Sequence, residues 1–139
     1  MKKGIISALL LIVFISQACK KDKEADTPTP VTPEPVANIV ISEPLPSSTI
    51  DFEDTVHVDV HITADFDMHG YDIYLINLTA DDTVWTADDH DHGQTYDIHG
   101  EWINTVTEHS NMKLKVIAVE DHDGNTTESE VEFHCHPME

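Results

Sequence analysis

The strict alternation of apolar and polar residues after residue 37 constrains the fold of this chain more than any other feature. In residues 55–64, Val56, Val58, Val60 and Ile62 occupy every second position. A period of two is typical of a β-strand with one buried face, because successive side chains of a strand point to opposite faces of the sheet. Similar runs occur, between turn-forming residues, at 38–41, 71–78, 83–86, 95–105, 112–119 and 127–135. The pattern therefore predicts an all-β domain.

The number and spacing of these runs restrict the possible β-sheet architectures. About seven short strands in about 100 residues suit an immunoglobulin-like antiparallel β-sandwich. Residues 71–78 are apolar on both faces, as expected of a central strand. Asp123-Gly124 is a tight-turn pair between two strands, and Gly100 is predicted to form a bulge inside its strand.

The segment 114–125 carries a family resemblance. An alternating strand ends there in acidic residues followed by Gly124 and Asn125. In this it resembles the penultimate strand and turn of bacterial immunoglobulin-like and fibronectin-like modules. Residues 37–139 as a whole resemble the small immunoglobulin-like lipoproteins of the Bacteroidetes type. The resemblance implies the same fold, and it carries less information about function.

The first residues have the layout of a secretory signal peptide. Lys2 and Lys3 precede an apolar run at 5–15, which is too short for a comfortable membrane span. A single transmembrane anchor is the alternative. We predict that residues 1–18 are a signal peptide.

Ile15, Ala18 and Cys19 resemble the cleavage region of a bacterial lipoprotein signal. The resemblance implies that Cys19 is lipidated and becomes the first mature residue, which anchors the protein to a membrane. Lys20, rather than aspartate, follows the cysteine. In Gram-negative lipoproteins this implies sorting to the outer membrane, with the domain facing the periplasm or the cell surface.

Residues 19–36 are predicted to be a tether, and residues 37–139 the domain. Prolines 28, 30, 33 and 35 alternate with other residues, which favours an extended, semi-rigid spacer. If Cys19 carries lipid, Cys135 has no disulfide partner. Cys135 is then either a buried apolar residue, which we favour, or an available thiol.

The charge of the chain restricts its partners. The sequence contains 27 acidic residues against seven lysines, and it has no arginine. After residue 37 only Lys113 and Lys115 oppose the acids. Nucleic acid is excluded as a partner because phosphate binding needs a basic surface. Two interpretations remain open, namely solubility and attraction for cations.

A first candidate metal site lies on one predicted sheet face. If the valines of 55–64 point inward, the outward face carries polar side chains of that strand and of the strand at 95–105, its neighbour in immunoglobulin topology. These side chains are His57, Asp59, His61, Asp97, His99 and Glu101. His57 and His61 alone are about 13 Å apart, so a metal site would need both strands. The alternative is an ordinary solvated face.

Two further candidate sites follow from short histidine tracts. His90 and His92 lie in an acidic loop, and His69 could join either this site or the one on the sheet face. His134 and His136 share one strand face about 6.6 Å apart, with Met138 nearby as a soft donor. Imidazole and carboxylate ligands suit Zn, and imidazole also suits Cu. Calcium is a less favoured cofactor, because residues 121–125 are better explained as a plain turn. His109 receives no role.

The sequence favours a binding protein over an enzyme. It contains no nucleophile elbow, phosphate loop, dinucleotide fingerprint or HExxH motif. The leading hypothesis is a metal-binding lipoprotein for Zn or Cu. The alternative is a non-catalytic adhesion or interaction module that meets an envelope protein or a glycan. Its candidate contacts, if exposed, are aromatic side chains: Tyr71, Tyr74, Trp85 and Trp102.

Overall fold

The computed structural model describes residues 36–139, and the predicted signal peptide, Cys19 and nearly all of the tether lie outside that range. The described residues form eight strands: β1 (Asn38–Glu43), β2 (Thr49–Ile50), β3 (Thr55–Met68), β4 (Gly70–Asn77), β5 (Asp82–Asp89), β6 (Gly93–Ile103), β7 (Ser110–Val119) and β8 (Thr126–Cys135). No helix in this range is long and apolar enough to cross a membrane.

The strands form two sheets, ordered β1-β3-β6 and β2-β8-β7-β4-β5. In immunoglobulin nomenclature these orders correspond to A-B-E and to A′-G-F-C-C′. β5 pairs with β4 rather than with β6, so it is a C′ strand and not a D strand. The order defines an immunoglobulin-like sandwich and confirms the predicted fold class.

Alternation produces the core between the two sheets. Val56, Val58, Val60 and Ile62 of β3 are buried as predicted, against apolar residues of β4, β7 and β8. Full burial of one such aliphatic side chain stabilises a fold by about 1.5–3 kcal/mol. Cys135 is fully buried, and burial raises the pKa of its thiol to about 11. It packs as an apolar residue, as expected.

Three details differ from the sequence prediction. β2 was not predicted, because two residues are too few to show alternation, and it pairs with β8 in parallel. β3 extends to Met68 through a register shift between Thr63 and Met68. Gly100 does not form a bulge, since it pairs regularly with Val58. A Cβ atom at position 100 would overlap the indole of Trp85, which packs across the sandwich.

This packing makes Gly100→Ala a test of the sandwich interior. We expect the substitution to lower the free energy of unfolding by about 1–3 kcal/mol, because overpacking forces the indole or the sheet to move. Urea denaturation measures the effect. Gly93→Ala in the same strand is the control, because its Cβ would meet the Tyr96 ring at an ordinary contact distance of 3.4 Å. Equal losses in both variants would contradict the role of Trp85.

Candidate functional site

The outer face of β3 and β6 carries three histidine–carboxylate pairs. His61 Nδ1 lies 2.6 Å from Asp97 Oδ1. His57–Glu101 and His99–Asp59 have nitrogen–oxygen distances of 3.5 Å. Residues opposite one another on the two strands form these pairs, for example Asp59 with His99. The side chains therefore lie on the outward face, and the two strands are neighbours.

These three pairs do not merge into one cluster. Outward-facing positions repeat along a strand about every 6.6 Å, and the side chains project nearly in parallel. Among the described residues, the groups with three ligand atoms within 4.8 Å of one another do not include His57, His61 or His99. Each of these imidazoles is thus held by one carboxylate.

Three other histidines converge at one end of the sandwich, and we call His69, His92 and His122 the loop cluster. Their ligand atoms lie within 4.8 Å of one another. The rings of His69 and His122 are 3.7 Å apart between centroids, and those of His69 and His92 are 4.2 Å apart. His69 Nδ1 lies 3.1 Å from His122 Nδ1. The three residues come from three different connections: β3–β4, β5–β6 and β7–β8.

Backbone pairing positions these three connections. Met68 pairs with Gly93, which brings His92 beside His69. The His69 N–H donates to Val119 O at 2.8 Å, which ties the cluster to the end of β7.

The turn that carries His122 is organised by Asp121. Its carboxylate accepts hydrogen bonds from the backbone N–H groups of Asp123 and Asn125 and from Asn125 Nδ2. The bonds from Asn125 are the main cause that lowers the pKa of Asp121. Both oxygens of Asp121 thus accept hydrogen bonds from the turn itself.

The pKa of His69 is lowered, first by partial removal from water and then by the neighbouring imidazoles of His122 and His92, while Asp121 opposes the shift. A lowered pKa favours the neutral imidazole at neutral pH. Neutral imidazole is the form that binds metal ions.

A second trio lies at the opposite end of the sandwich, and we call His109, His134 and His136 the tail cluster. Their ligand atoms also lie within 4.8 Å of one another. His134 Nε2 is 3.4 Å from His109 Nδ1. The His136 ring lies 4.8 Å from that of His109 and 5.2 Å from that of His134, between centroids. His134 and His136 are half-buried, and His109 is exposed.

Neighbouring side chains hold two of the tail-cluster rings. His134 Nδ1 faces Asn111 Oδ1 at 3.2 Å, and His136 Nδ1 faces Asp51 Oδ1 at 3.2 Å. Both partner oxygens can accept a hydrogen bond from Nδ1–H, and in that tautomer Nε2 is the nitrogen that carries the lone pair. Contacts of this kind orient the histidine ligands of metal sites.

His109 is the member of this cluster that the sequence analysis missed. Ser110 pairs with Cys135 in the β7–β8 hairpin, so the next positions outward are 109 and 136. A tight turn at Asp123-Gly124 would have set His109 opposite Met138. The β7–β8 connection instead spans residues 120–125, because Val119 pairs with Thr126, and this register sets His109 opposite His136. The sequence analysis allows His69 to lie beside His92, and their rings are in contact. His122 had no comparable signal, because its proximity to them depends on three separate connections.

A buried amide fastens the segments around the tail cluster. The Asn104 side chain is fully buried, and its Nδ2 donates to the backbone oxygens of Ile50, Asp51 and His136 at 2.9–3.1 Å. Its Oδ1 accepts from the Val106 N–H at 3.1 Å. One side chain thereby joins the segment of Asp51, the end of the tail and the connection that leads to His109.

Several predicted ligands stay apart from both trios. His90 lies 3.8 Å from Asp88 and belongs to neither cluster. Cys135 points into the core between His134 and His136. Met138 is 67% exposed. Tyr71, Trp85 and Trp102 pack against the core, which fits a structural role better than a role as exposed contacts.

The two lysines of the domain are already paired. Lys113 lies 3.0 Å from Glu130 and 3.3 Å from Glu132, and Lys115 lies 2.9 Å from Glu128. The hydrogen bond to Glu130 is the largest of the effects that raise the pKa of Lys113. The remaining carboxylates therefore keep the surface strongly negative, which raises the local concentration of cations.

Comparison with known proteins adds a fold neighbour. No protein-family model matches the chain, and no curated protein matches it. Among solved structures, it is similar to the fibronectin(III)-like modules of Clostridium thermocellum CbhA. The identity is 14%, the TM-score is 0.49, and the match covers 73% of this chain and 99% of that one. The strand order described above defines the class of this domain independently of that likeness.

The hydrogen bonds of Asn104 predict that replacing its side chain lowers the stability of the domain strongly. Asn104→Leu keeps a similar volume but leaves three backbone oxygens and the Val106 N–H without this partner. We expect a loss of about 2–4 kcal/mol in the free energy of unfolding, since an unsatisfied buried polar group costs about 1–3 kcal/mol. Urea denaturation checks this, with Asn111→Leu as the exposed control. A loss no greater than that of the control would contradict the anchoring role.

Proposed function

We propose that this protein is a membrane-anchored, extracytoplasmic lipoprotein whose acidic, histidine-rich sandwich binds a divalent transition metal, Zn²⁺ or Cu²⁺. The tail cluster carries the proposal. It combines three imidazoles with two oxygen acceptors that face the Nδ1 atoms of His134 and His136, an arrangement that offers the Nε2 atoms of these two rings to a metal.

The spacing of the tail cluster suits a metal ion. Two nitrogens bound to zinc at 2.0–2.1 Å with tetrahedral angles lie about 3.3–3.4 Å apart. His134 Nε2 and His109 Nδ1 are 3.4 Å apart. Imidazole ligands suit both zinc and copper, so the choice of metal depends on supply as well as on geometry.

Three histidines leave one coordination position for an exchangeable ligand. Structural zinc sites are closed by four protein ligands, whereas an open position admits water or an incoming donor. An open site near the surface suits capture and release of a metal better than permanent structural binding. We therefore propose a non-catalytic binding role.

The tail cluster lies at the end of the domain opposite the start of the described chain. The Ala37 N–H donates to Glu120 Oε1, so the described chain begins beside the β7–β8 turn. The tail cluster lies at the other end of the ten-residue strand β7, which spans about 30 Å. We propose that the lipid on Cys19 and the tether at 19–36 hold the domain at the outer membrane, on its periplasmic or external side.

A second candidate function is the interaction module, and one observation favours it. β6 pairs with β3 on one side only, so within residues 36–139 its other edge has no partner strand. An edge of this length can accept an added strand from a protein partner. Failure of metal binding would leave this role as the better explanation.

The metal site is tested by calorimetric titration of the protein, made without a histidine tag, with Zn²⁺ and Cu²⁺. We expect His134→Ala with His136→Ala to remove one equivalent of bound metal, because two of three ligands are lost. His57→Ala with His99→Ala is the matched control, since these histidines lie in separate pairs on the sheet face. Unchanged binding in the tail variant would refute the proposed site.

The same titration should depend on pH. Binding requires neutral imidazoles, and a histidine with an ordinary pKa of about 6.5 is mostly protonated at about pH 5.5. The affinity should therefore be much lower at about pH 5.5 than at about pH 7.5. Equal affinity at both values would contradict histidine ligation.

The orienting role of Asp51 gives a separate prediction. Asp51→Asn should weaken zinc affinity about 10–100-fold, as losses of such supporting contacts do, without changing the number of bound ions. Asp97→Asn removes an equivalent contact to His61, which lies outside the cluster. It should leave the affinity unchanged, and a parallel loss in both variants would indicate a general charge effect.

A further inference from the structure

The loop cluster differs from the tail cluster in how it is assembled. Each of its histidines belongs to a different connection, whereas two tail-cluster histidines lie at the end of one strand. The rings contact one another: His69 makes a tilted contact with His92 and an edge contact with His122. No carboxylate or amide oxygen is a hydrogen-bond partner of these rings among the described residues.

The short contact between His69 and His122 requires a proton or a metal ion between the two rings. The two Nδ1 atoms lie 3.1 Å apart, and two lone pairs at that distance repel unless a proton lies between them. A metal ion can replace that proton and draw both lone pairs, at a spacing close to the roughly 3.3 Å edge of a tetrahedral site. His92 supplies a third nitrogen within 4.8 Å.

We propose that His69, His92 and His122 form a second divalent-metal site, independent of the tail cluster, in which the ion fastens three connections together at the end where the described chain begins. The site extends the proposed function but does not depend on the tail cluster.

The lack of orienting hydrogen bonds in the loop cluster affects how strongly it would bind a metal. Rings without orienting partners must be ordered when the metal binds, so binding energy is partly used to immobilise side chains. The loop site should therefore bind zinc more weakly than the tail site. Since the ion would bind the folded domain only, it should also raise the melting temperature.

The test isolates the two sites by substitution. In a background of His134→Ala and His136→Ala, calorimetric titration with Zn²⁺ alone should retain one equivalent. Adding His92→Ala and His122→Ala should abolish it, together with the zinc-dependent rise in melting temperature. Adding His90→Ala instead is the matched control, because His90 lies in the same connection two residues away and outside the cluster.

The outcomes separate the two proposals. Zinc binding that survives loss of His92 and His122 in that background would overturn the loop site. Loss of an equivalent only with these two residues would support the loop site even if the tail site fails. If a variant does not fold, imidazole NMR of the unaltered protein decides: zinc should shift His69, His92 and His122 together and leave His90 in place, and unshifted loop-cluster signals would overturn the proposal.

Discussion

The amide of Asn104 is the interaction on which the tail end of the domain depends. Three backbone oxygens from segments more than 30 residues away in the chain accept hydrogen bonds from this one buried group. These acceptors lie at the ends of β2 and β8 in one sheet, and Asn104 follows β6 of the other, so the amide joins the two sheets at this end. Because a buried amide without partners is costly, the arrangement favours one conformation over many. The segments that carry the tail-cluster histidines are therefore held in a defined position.

Most of the fold was predictable because it follows from alternation. The positions of the apolar residues in β3 determine which of its side chains face water, and a shift of one residue would reverse every one of them. That constraint is strong enough to predict the outward faces of His57 and His99. The pairing of their strands followed from immunoglobulin topology. Alternation also predicted the buried position of Cys135. Alternation could not reveal β2, because a strand of two residues shows no period. It also gave a wrong role to Gly100, where a side chain is excluded by the Trp85 indole of the other sheet.

The candidate sites were predictable only in part, and the division has a physical cause. His134 and His136 lie at the end of β8, two residues apart, so their spacing follows from local geometry. The placement of His109 depends on the register of the β7–β8 hairpin, and a tight turn at Asp123-Gly124 would have set His109 opposite Met138 rather than His136. The loop cluster needed the relative placement of three connections that are distant in sequence, and no local pattern encodes that placement. His90 and His92 illustrate the limit, because the same short tract contains one cluster member and one residue outside it.

The contrast between the sheet face and the two ends explains where a metal can bind. On a sheet, neighbouring positions along a strand are about 6.6 Å apart on one face, twice the separation of two nitrogens on one zinc ion. Histidines there meet the residue opposite, and in this acidic protein that residue is a carboxylate, as with His61 and Asp97. At the ends, strands turn and side chains converge from several directions. An acidic sandwich rich in histidine thus tends to place ion pairs on its faces and clusters of imidazoles at its ends.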